Sequence, residues 1–174
     1  MTMMLQCAKC GGAHDVAQFS WGFDHPDQWD LLSEAERKAS ELGQEQCVIE
    51  KDGTHFFIRA CLELPIKGRE EPFVWGVWCS LSEKNFLEVS EHWEDSKRTQ
   101  VGPHFGWLSS RLPGYPDTMF MKTMVHQRDV GVRPFVELER TDHLLSVHQH
   151  EGIDPAQLMT IIAELVHHDA QPSV

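Results

Sequence analysis

One segment constrains the fold more than any other, and it reads Phe73-Val-Trp-Gly-Val-Trp-Cys-Ser-Leu81. In a β-strand, successive side chains point to opposite faces, so Trp75 faces one side and Trp78 the other, each with further apolar neighbours. A strand that is apolar on both faces has to be covered on both sides. The sequence therefore predicts a central strand at 73–81 in which both indole rings are buried.

The segments around this strand predict an α+β domain. An Asp52-Gly53 turn joins two strand patterns at 47–50 and 55–64 into a hairpin. Further strands are predicted at three places: 118–127, 134–140 and 144–150. Helices are predicted at three others: 26–42, broken at the Ser33-x-x-Glu36 capping box, 82–94 and from 154 onwards. The expected architecture is a mostly antiparallel sheet of about five or six strands with flanking helices and an N-terminal zinc-knuckle-like segment.

Length and charge exclude several classes of protein. The chain has 174 residues, which fits a single domain 1–174, with a knuckle segment at 1–25, an α+β body at 26–168 and a tail at 169–174. Its net charge of −12 and the lack of a basic stripe argue against nucleic-acid binding. No apolar run is long enough for a membrane span. Five cysteines, an odd number, favour a reducing compartment, so we expect a cytoplasmic protein.

The N-terminal pair Cys7-x-x-Cys10, followed by glycine, is the sharpest local feature. Two thiolates at this spacing can bind one tetrahedral metal ion. His14 is the expected third ligand and Cys47 the fourth, with His25 as an alternative to Cys47. The sequence thus predicts a structural zinc site, and the alternative is a turn without metal.

A second set of polar and aromatic residues suggests a ligand cleft. Charged side chains inside strongly apolar strands are costly unless they are paired, so they form either cross-strand ion pairs or a polar cleft. Trp107 and Tyr115, near a loop rich in glycine and proline, are candidates for the wall of such a cleft. The predicted ligand-binding residues are Arg59, Trp78, Trp107, Tyr115, Arg133, Glu137 and His143.

The pair His148-x-His150 is a candidate for a catalytic metal site. On a strand both imidazoles would share one face, and His126 or His143 could complete the set. Solvent-exposed histidines at a strand end are the simpler interpretation.

Short sequence blocks in a fixed order resemble the domain of unknown function 2199 family, whose members are small and mostly bacterial. The blocks are Cys7-x-x-Cys10-Gly-x-x-His14, Cys47-Val-Ile, Phe57-Ile-Arg59, Leu64-Pro65-Ile66, Trp75-Gly76-Val77-Trp78, Leu81-Ser82-Glu83-x-Asn85-Phe86, Gly106-Trp107-Leu108, Tyr115-Pro116-Asp117-Thr118, Arg133-Pro134 and Asp142-His143. The resemblance covers roughly residues 5–165 and departs at Leu144, where a proline is expected. It implies one intact domain with an N-terminal knuckle, and it implies no reaction.

Two functions remain open from the sequence. The first is a binding protein without enzymatic activity, whose partner is a basic protein or a small molecule. Its acidic surface would attract a basic partner. The second is a small hydrolase-like enzyme that uses a cleft around Arg59, Trp78, Arg133, Glu137 and His143. Neither a nucleophile-elbow motif nor a zinc-protease motif supports the second function.

Overall fold

The structure, a computed structural model, describes residues 4–6, 11–15 and 20–168. The strands in the described residues are β1 Met4–Gln6, β2 Ala13–Asp15, β3 Ser20–Gly22, β4 Glu41–Leu42, β5 Gln46–Glu50, β6 Thr54–Leu64, β7 Phe73–Leu81, β8 His104–Leu108, β9 Lys122–His126 and β10 Phe135–Leu138. The α-helices are α1 Glu34–Ala39, α2 Glu83–Glu91, α3 Leu144–Glu151 and α4 Pro155–His168. Two 3₁₀ helices lie at Asp27–Leu31 and Arg98–Gln100.

Five strands of the main sheet close into a barrel. The sheet order is β3-β7-β8-β9-β10-β6-β5-β4, and an additional pairing of β6 with β7 closes the ring. This is possible because β6 and β7 are long, with 11 and 9 residues. One edge of each strand is long enough to pair with two different neighbouring strands. The α+β class and the mostly antiparallel sheet are confirmed, since β3–β7 and β6–β10 are the only parallel pairs of strands in the described part of the chain. The predicted number of strands, five or six, was too low, because the main sheet has eight.

The prediction for β7 is confirmed. The strand pairs with β3, β6 and β8, and both indole rings are fully buried. Trp75 belongs to the main core inside the barrel. Trp78 belongs to a second, smaller cluster on the opposite face, which we call the outer cluster. The two faces of one strand therefore serve two separate apolar clusters.

The predicted break in the first helical segment is also confirmed. The 3₁₀ helix Asp27–Leu31 ends before Ser33, and α1 begins at Glu34. Ser33 and Glu36 form a capping box in which each side chain accepts a hydrogen bond from the other residue's backbone N–H. Two short helices, not one long one, therefore flank the buried Leu32 of the outer cluster.

The predicted strand at 144–150 is wrong, because this segment is the helix α3. His143 caps it, and its Nδ1 accepts a hydrogen bond from the backbone N–H of Leu145. Gln149 explains why the helix replaces a strand: its amide donates to the Val136 carbonyl at 2.6 Å and accepts from the Leu138 N–H at 2.8 Å. A helix side chain therefore satisfies backbone groups of β10 that another strand would otherwise pair.

This correction removes the basis for a metal site at His148 and His150. Residues at positions i and i+2 of a helix are rotated by about 200° around the helix axis, so the two rings do not share a face. His148 is buried, with its Nδ1 2.9 Å from the Tyr115 hydroxyl, whereas His150 bonds to the Leu138 carbonyl. Burial lowers the pKa of His148 and raises that of Tyr115.

Candidate functional site

The outer cluster forms the base of an open cavity. Its buried side chains cover one face of the β5–β6 hairpin and of β7, and they are Leu32, Cys47, Ile49, Phe57 and Trp78. Three of them, Leu32, Ile49 and Phe57, line a cavity of about 640 Å³, which we call the hairpin pocket. This volume lies within the range of about 300–1,000 Å³ typical of small-molecule sites. The floor of the pocket is therefore apolar and shielded from water.

The rim of the hairpin pocket carries large apolar side chains that remain exposed. They are Leu31, Trp107 and Phe120, with exposed fractions of 72%, 40% and 59%. Single exposed apolar residues are common on protein surfaces, but three around one concave opening make this pocket the candidate binding site. Of the seven predicted ligand-binding residues, Trp107 lies on the wall of this pocket.

The backbone of Phe120 supports the same interpretation. Its φ of 61° lies in the left-handed region, which bulky side chains rarely adopt. Its N–H donates to the Leu108 carbonyl at 2.8 Å, which fixes it beside the end of β8. Unfavourable backbone conformations of this kind concentrate at functional sites. The chain thus keeps an exposed phenyl ring at the rim at a conformational cost.

The 3₁₀ helix that forms one wall is attached at both ends. At its start, the Asp27 N–H donates to the Ser109 carbonyl at 2.9 Å, and the Asp27 carboxylate pairs with Arg111. At its end, the Lys51 ammonium donates to the Leu31 carbonyl at 2.9 Å. Lys51 lies next to the Asp52-Gly53 turn, so the turn of the hairpin and the 3₁₀ helix are held together across the pocket. The site is therefore largely pre-formed.

The other predicted ligand-binding residues do not meet in this pocket. Arg59 and Trp78 are directly opposite each other on β6 and β7, and the guanidinium lies 6.0 Å from the indole centroid. Arg133 forms a two-pronged ion pair with Glu45, with both N–O distances 2.8 Å. Arg59 also donates its backbone N–H to the carbonyl of Glu45. Glu45 therefore brings Arg133 close to Arg59 and Trp78.

The remaining members of the predicted set are engaged elsewhere. Glu137 lies 3.0 Å from His126 on the neighbouring strand, His143 caps α3, and Tyr115 contacts His148. Glu137 thus has a hydrogen-bond partner on the neighbouring strand, which agrees with the cross-strand pairing that the sequence offered as the simpler interpretation. The enzyme hypothesis depended on five residues in one cleft, and Glu137 and His143 form their hydrogen bonds with His126 and Leu145.

The candidate zinc ligands are only partly covered by the structure. Cys7 and Cys10 lie outside the described residues, as does the side chain of His14. Cys47 is 1% exposed, and burial raises the pKa of its thiol to about 12. His25 is half-buried, with its Nε2 3.6 Å from Asp30. Within the described ranges, no group of three or more His, Cys, Asp or Glu side chains could hold a metal ion.

Sequence reasoning missed most of the hairpin pocket. It identified the Asp-Gly turn and Trp107, but it did not identify Gln28, Leu31, Ser80 or Phe120. The sequence did contain a signal for Leu31. This apolar residue precedes the capping box at Ser33, so burial on the apolar face of the helix that follows does not explain it. Phe120 offered none, because its left-handed backbone cannot be deduced from a single sequence.

These features define a small α+β protein in which a five-stranded barrel carries an open apolar pocket on its outer face. No helix within the described part of the chain has the length and apolarity to cross a membrane. The chain belongs to the domain of unknown function 2199 family, described as an uncharacterised protein conserved in bacteria, and the match covers residues 6–153. No curated protein and no solved structure matches the chain.

Proposed function

We propose that this protein is a non-enzymatic binding protein whose ligand is a small, mostly apolar molecule held in the hairpin pocket. The observation that carries the proposal is the combination of a buried apolar floor with an exposed rim of Leu31, Trp107 and Phe120. Burial of such a rim under a ligand is favourable, at about 25 cal/mol per Å² of apolar surface. The attached 3₁₀ helix lowers the cost of binding, because the walls need little rearrangement.

The proposal predicts saturable binding of a neutral apolar probe. N-Phenyl-1-naphthylamine should bind at one site per chain with enhanced fluorescence, measured by titration. Trp107→Ala and Phe120→Gly should each weaken binding about tenfold, the amount expected for the loss of one aromatic wall. Glycine is chosen for position 120 because it adopts the left-handed backbone without strain.

Leu87→Ala is the matched control. Leu87 is 49% exposed on α2 and does not line the hairpin pocket, so its removal should leave the affinity unchanged. Absence of saturable binding by the wild-type protein would contradict the proposal. If Trp107→Ala and Phe120→Gly bound the probe as tightly as the wild-type protein, the probe would lie at another site. That result would also contradict the proposal.

The structural zinc site is a second, independent proposal. The Cys47 side chain is 1% exposed and packs within the apolar outer cluster, whereas His25 is only half-buried. We therefore favour His25 over Cys47 as the fourth ligand beside Cys7, Cys10 and His14. Four protein ligands would close the coordination shell, so this zinc would stabilise the fold and would not catalyse a reaction.

Metal analysis of protein purified without added zinc tests the site. We expect about one zinc ion per chain, lost in a Cys7→Ser/Cys10→Ser double variant and kept in Cys47→Ala. A His25→Gln variant should lose most of the metal. Wild-type protein without metal would show that the Cys7-x-x-Cys10 segment is only a turn, and loss of zinc in Cys47→Ala would restore Cys47 as the fourth ligand.

A further inference from the structure

The hydrogen-bonding groups of the hairpin pocket are mostly acceptors, and Gln28 is the clearest of them. Its Nε2 donates to the Ser109 hydroxyl at 3.3 Å, and that hydroxyl in turn donates to the Trp107 carbonyl at 3.3 Å. Because Ser109 uses its proton on the carbonyl, it can only accept from Gln28, which fixes the orientation of the amide. The Gln28 Oε1 is buried and has no partner among the described residues. A buried acceptor without a donor is costly, so a ligand that donates to this atom would gain a favourable hydrogen bond.

The positive charge that lines the pocket, the Lys51 ammonium group, already has hydrogen-bond and ion-pair partners. The Lys51 ammonium donates to the Leu31 carbonyl at 2.9 Å and lies 3.6 Å from the Glu36 carboxylate. A bound anion would have to compete with both of these contacts. Lys51 therefore acts as a brace between the hairpin and the 3₁₀ helix, and it is not available as an anion-binding group.

The two other ionisable residues at the pocket offer acceptors. Asp52 is exposed and forms no ion pair or side-chain hydrogen bond within the described part of the chain. His55 has its Nε2 3.0 Å from the Lys51 carbonyl. A carbonyl only accepts, so this nitrogen carries the hydrogen, and the Nδ1 of the neutral ring is left as an acceptor. The Ser80 hydroxyl can accept or donate, and no other described residue contacts it by a hydrogen bond.

From this set we infer that the ligand is a small hydrophobic amine, with an apolar or aromatic body and a protonated amino group. This inference rests on the proposed function of the hairpin pocket. The apolar body would cover the floor, and the ammonium group would donate to acceptors such as Gln28 Oε1 and the Asp52 carboxylate. The rim rings of Trp107 and Phe120 also favour a cation, through the negative faces of their π-systems. The net charge of −12 raises the local concentration of cations around the protein.

Three naphthalene probes of similar size and different charge test the inference by isothermal titration calorimetry at neutral pH. They are 1-naphthylmethylamine, which is cationic, 1-methylnaphthalene, which is neutral, and 1-naphthoic acid, which is anionic. The amine should bind at least about tenfold more tightly than the other two, as expected for a charge-assisted hydrogen bond in a partly dry site. Its affinity should also fall with added salt.

Two variants identify the acceptors. Gln28→Leu removes the buried oxygen and should reduce the preference for the amine about tenfold while methylnaphthalene binds as before. Asp52→Asn removes the charge, and asparagine tolerates the left-handed backbone at φ 52°, so the turn should be preserved. It should weaken the salt dependence of amine binding. Glu91→Gln, an exposed change on α2 away from the pocket, is the control and should change neither property.

Each outcome is decisive. If none of the three probes binds, the proposed function of the pocket fails together with the inference. If methylnaphthalene or naphthoic acid binds as tightly as the amine, the pocket function stands and the amine inference is overturned. If the amine preference survives unchanged in both Gln28→Leu and Asp52→Asn, the assignment to these acceptors is overturned.

Discussion

Replacement of Trp78 by alanine is expected to lower the free energy of unfolding by about 3–5 kcal/mol, the usual cost of removing a buried tryptophan. The indole is fully buried at the centre of the outer cluster. Its Nε1 also donates to the Phe23 carbonyl at 2.9 Å, so the variant leaves that carbonyl without its partner. Because a domain of this size is stable by only about 5–15 kcal/mol, this is a large fraction of the total. Urea unfolding followed by circular dichroism measures the effect.

Two further variants separate burial from the mere loss of an aromatic ring. Trp107→Ala removes the same side chain from a site that is 40% exposed, and it should cost less than about 1 kcal/mol. Trp78→Phe keeps most of the apolar volume but loses the hydrogen bond, so its cost should be intermediate. A Trp78→Ala variant as stable as Trp107→Ala would show that the outer cluster is not a structural core.

Replacement of Arg98 by alanine is expected to cost about 2–4 kcal/mol, because it empties a buried position and leaves three acceptors without their donor. Arg98 is 2% exposed, and its guanidinium lies 4.4 Å from the centroid of the Trp93 ring. It donates to the carbonyls of Trp93 and Val132, at 2.9 and 3.5 Å, and to the Gln127 side chain at 3.2 Å. It thus joins the segment after α2 to the loop between β9 and β10. Chemical denaturation of the variant measures the loss.

Arg111→Ala is the matched control for this prediction. Arg111 is 59% exposed and pairs with Asp27 and Asp117 on the surface, so its removal should cost less than about 1 kcal/mol. Arg98→Met keeps the aliphatic stem over Trp93 and should fall between the two alanine variants. Equal stability of Arg98→Ala and Arg111→Ala would show that the buried hydrogen bonds of Arg98 contribute nothing measurable.

The parts of the fold that could be predicted from the sequence are those with a local physical signal. The two-faced apolar pattern of β7 identified a central strand, and the Asp52-Gly53 turn identified the β5–β6 hairpin. The capping box at Ser33 located the start of α1. In each case, side-chain periodicity or backbone capping within a few residues determines the structure, so a single sequence is sufficient.

The parts that could not be predicted depend on contacts between distant segments. The helix α3 was mistaken for a strand because its short sequence carries weak periodicity, and it is fixed by the bonds of Gln149 to β10. Closure of the barrel depends on β6 and β10, which are some 70 residues apart and meet at the pair Cys61–Phe135. The pocket likewise combines Gln28, Trp107 and Phe120 from three separate segments. No pattern within a few residues of sequence indicates contacts between such distant segments.

The way the sheet ends has a consequence for the behaviour of the protein at high concentration. Within the described residues, the main sheet ends in β3 and β4, strands of only three and two residues. An exposed strand edge offers unpaired backbone groups to other chains and is a common starting point for aggregation. Here the five barrel strands close on themselves, and where β10 lacks a strand partner the Gln149 side chain bonds to its backbone groups. The two remaining edges are too short to template another chain. Self-association through strand addition is therefore disfavoured at both ends of the main sheet.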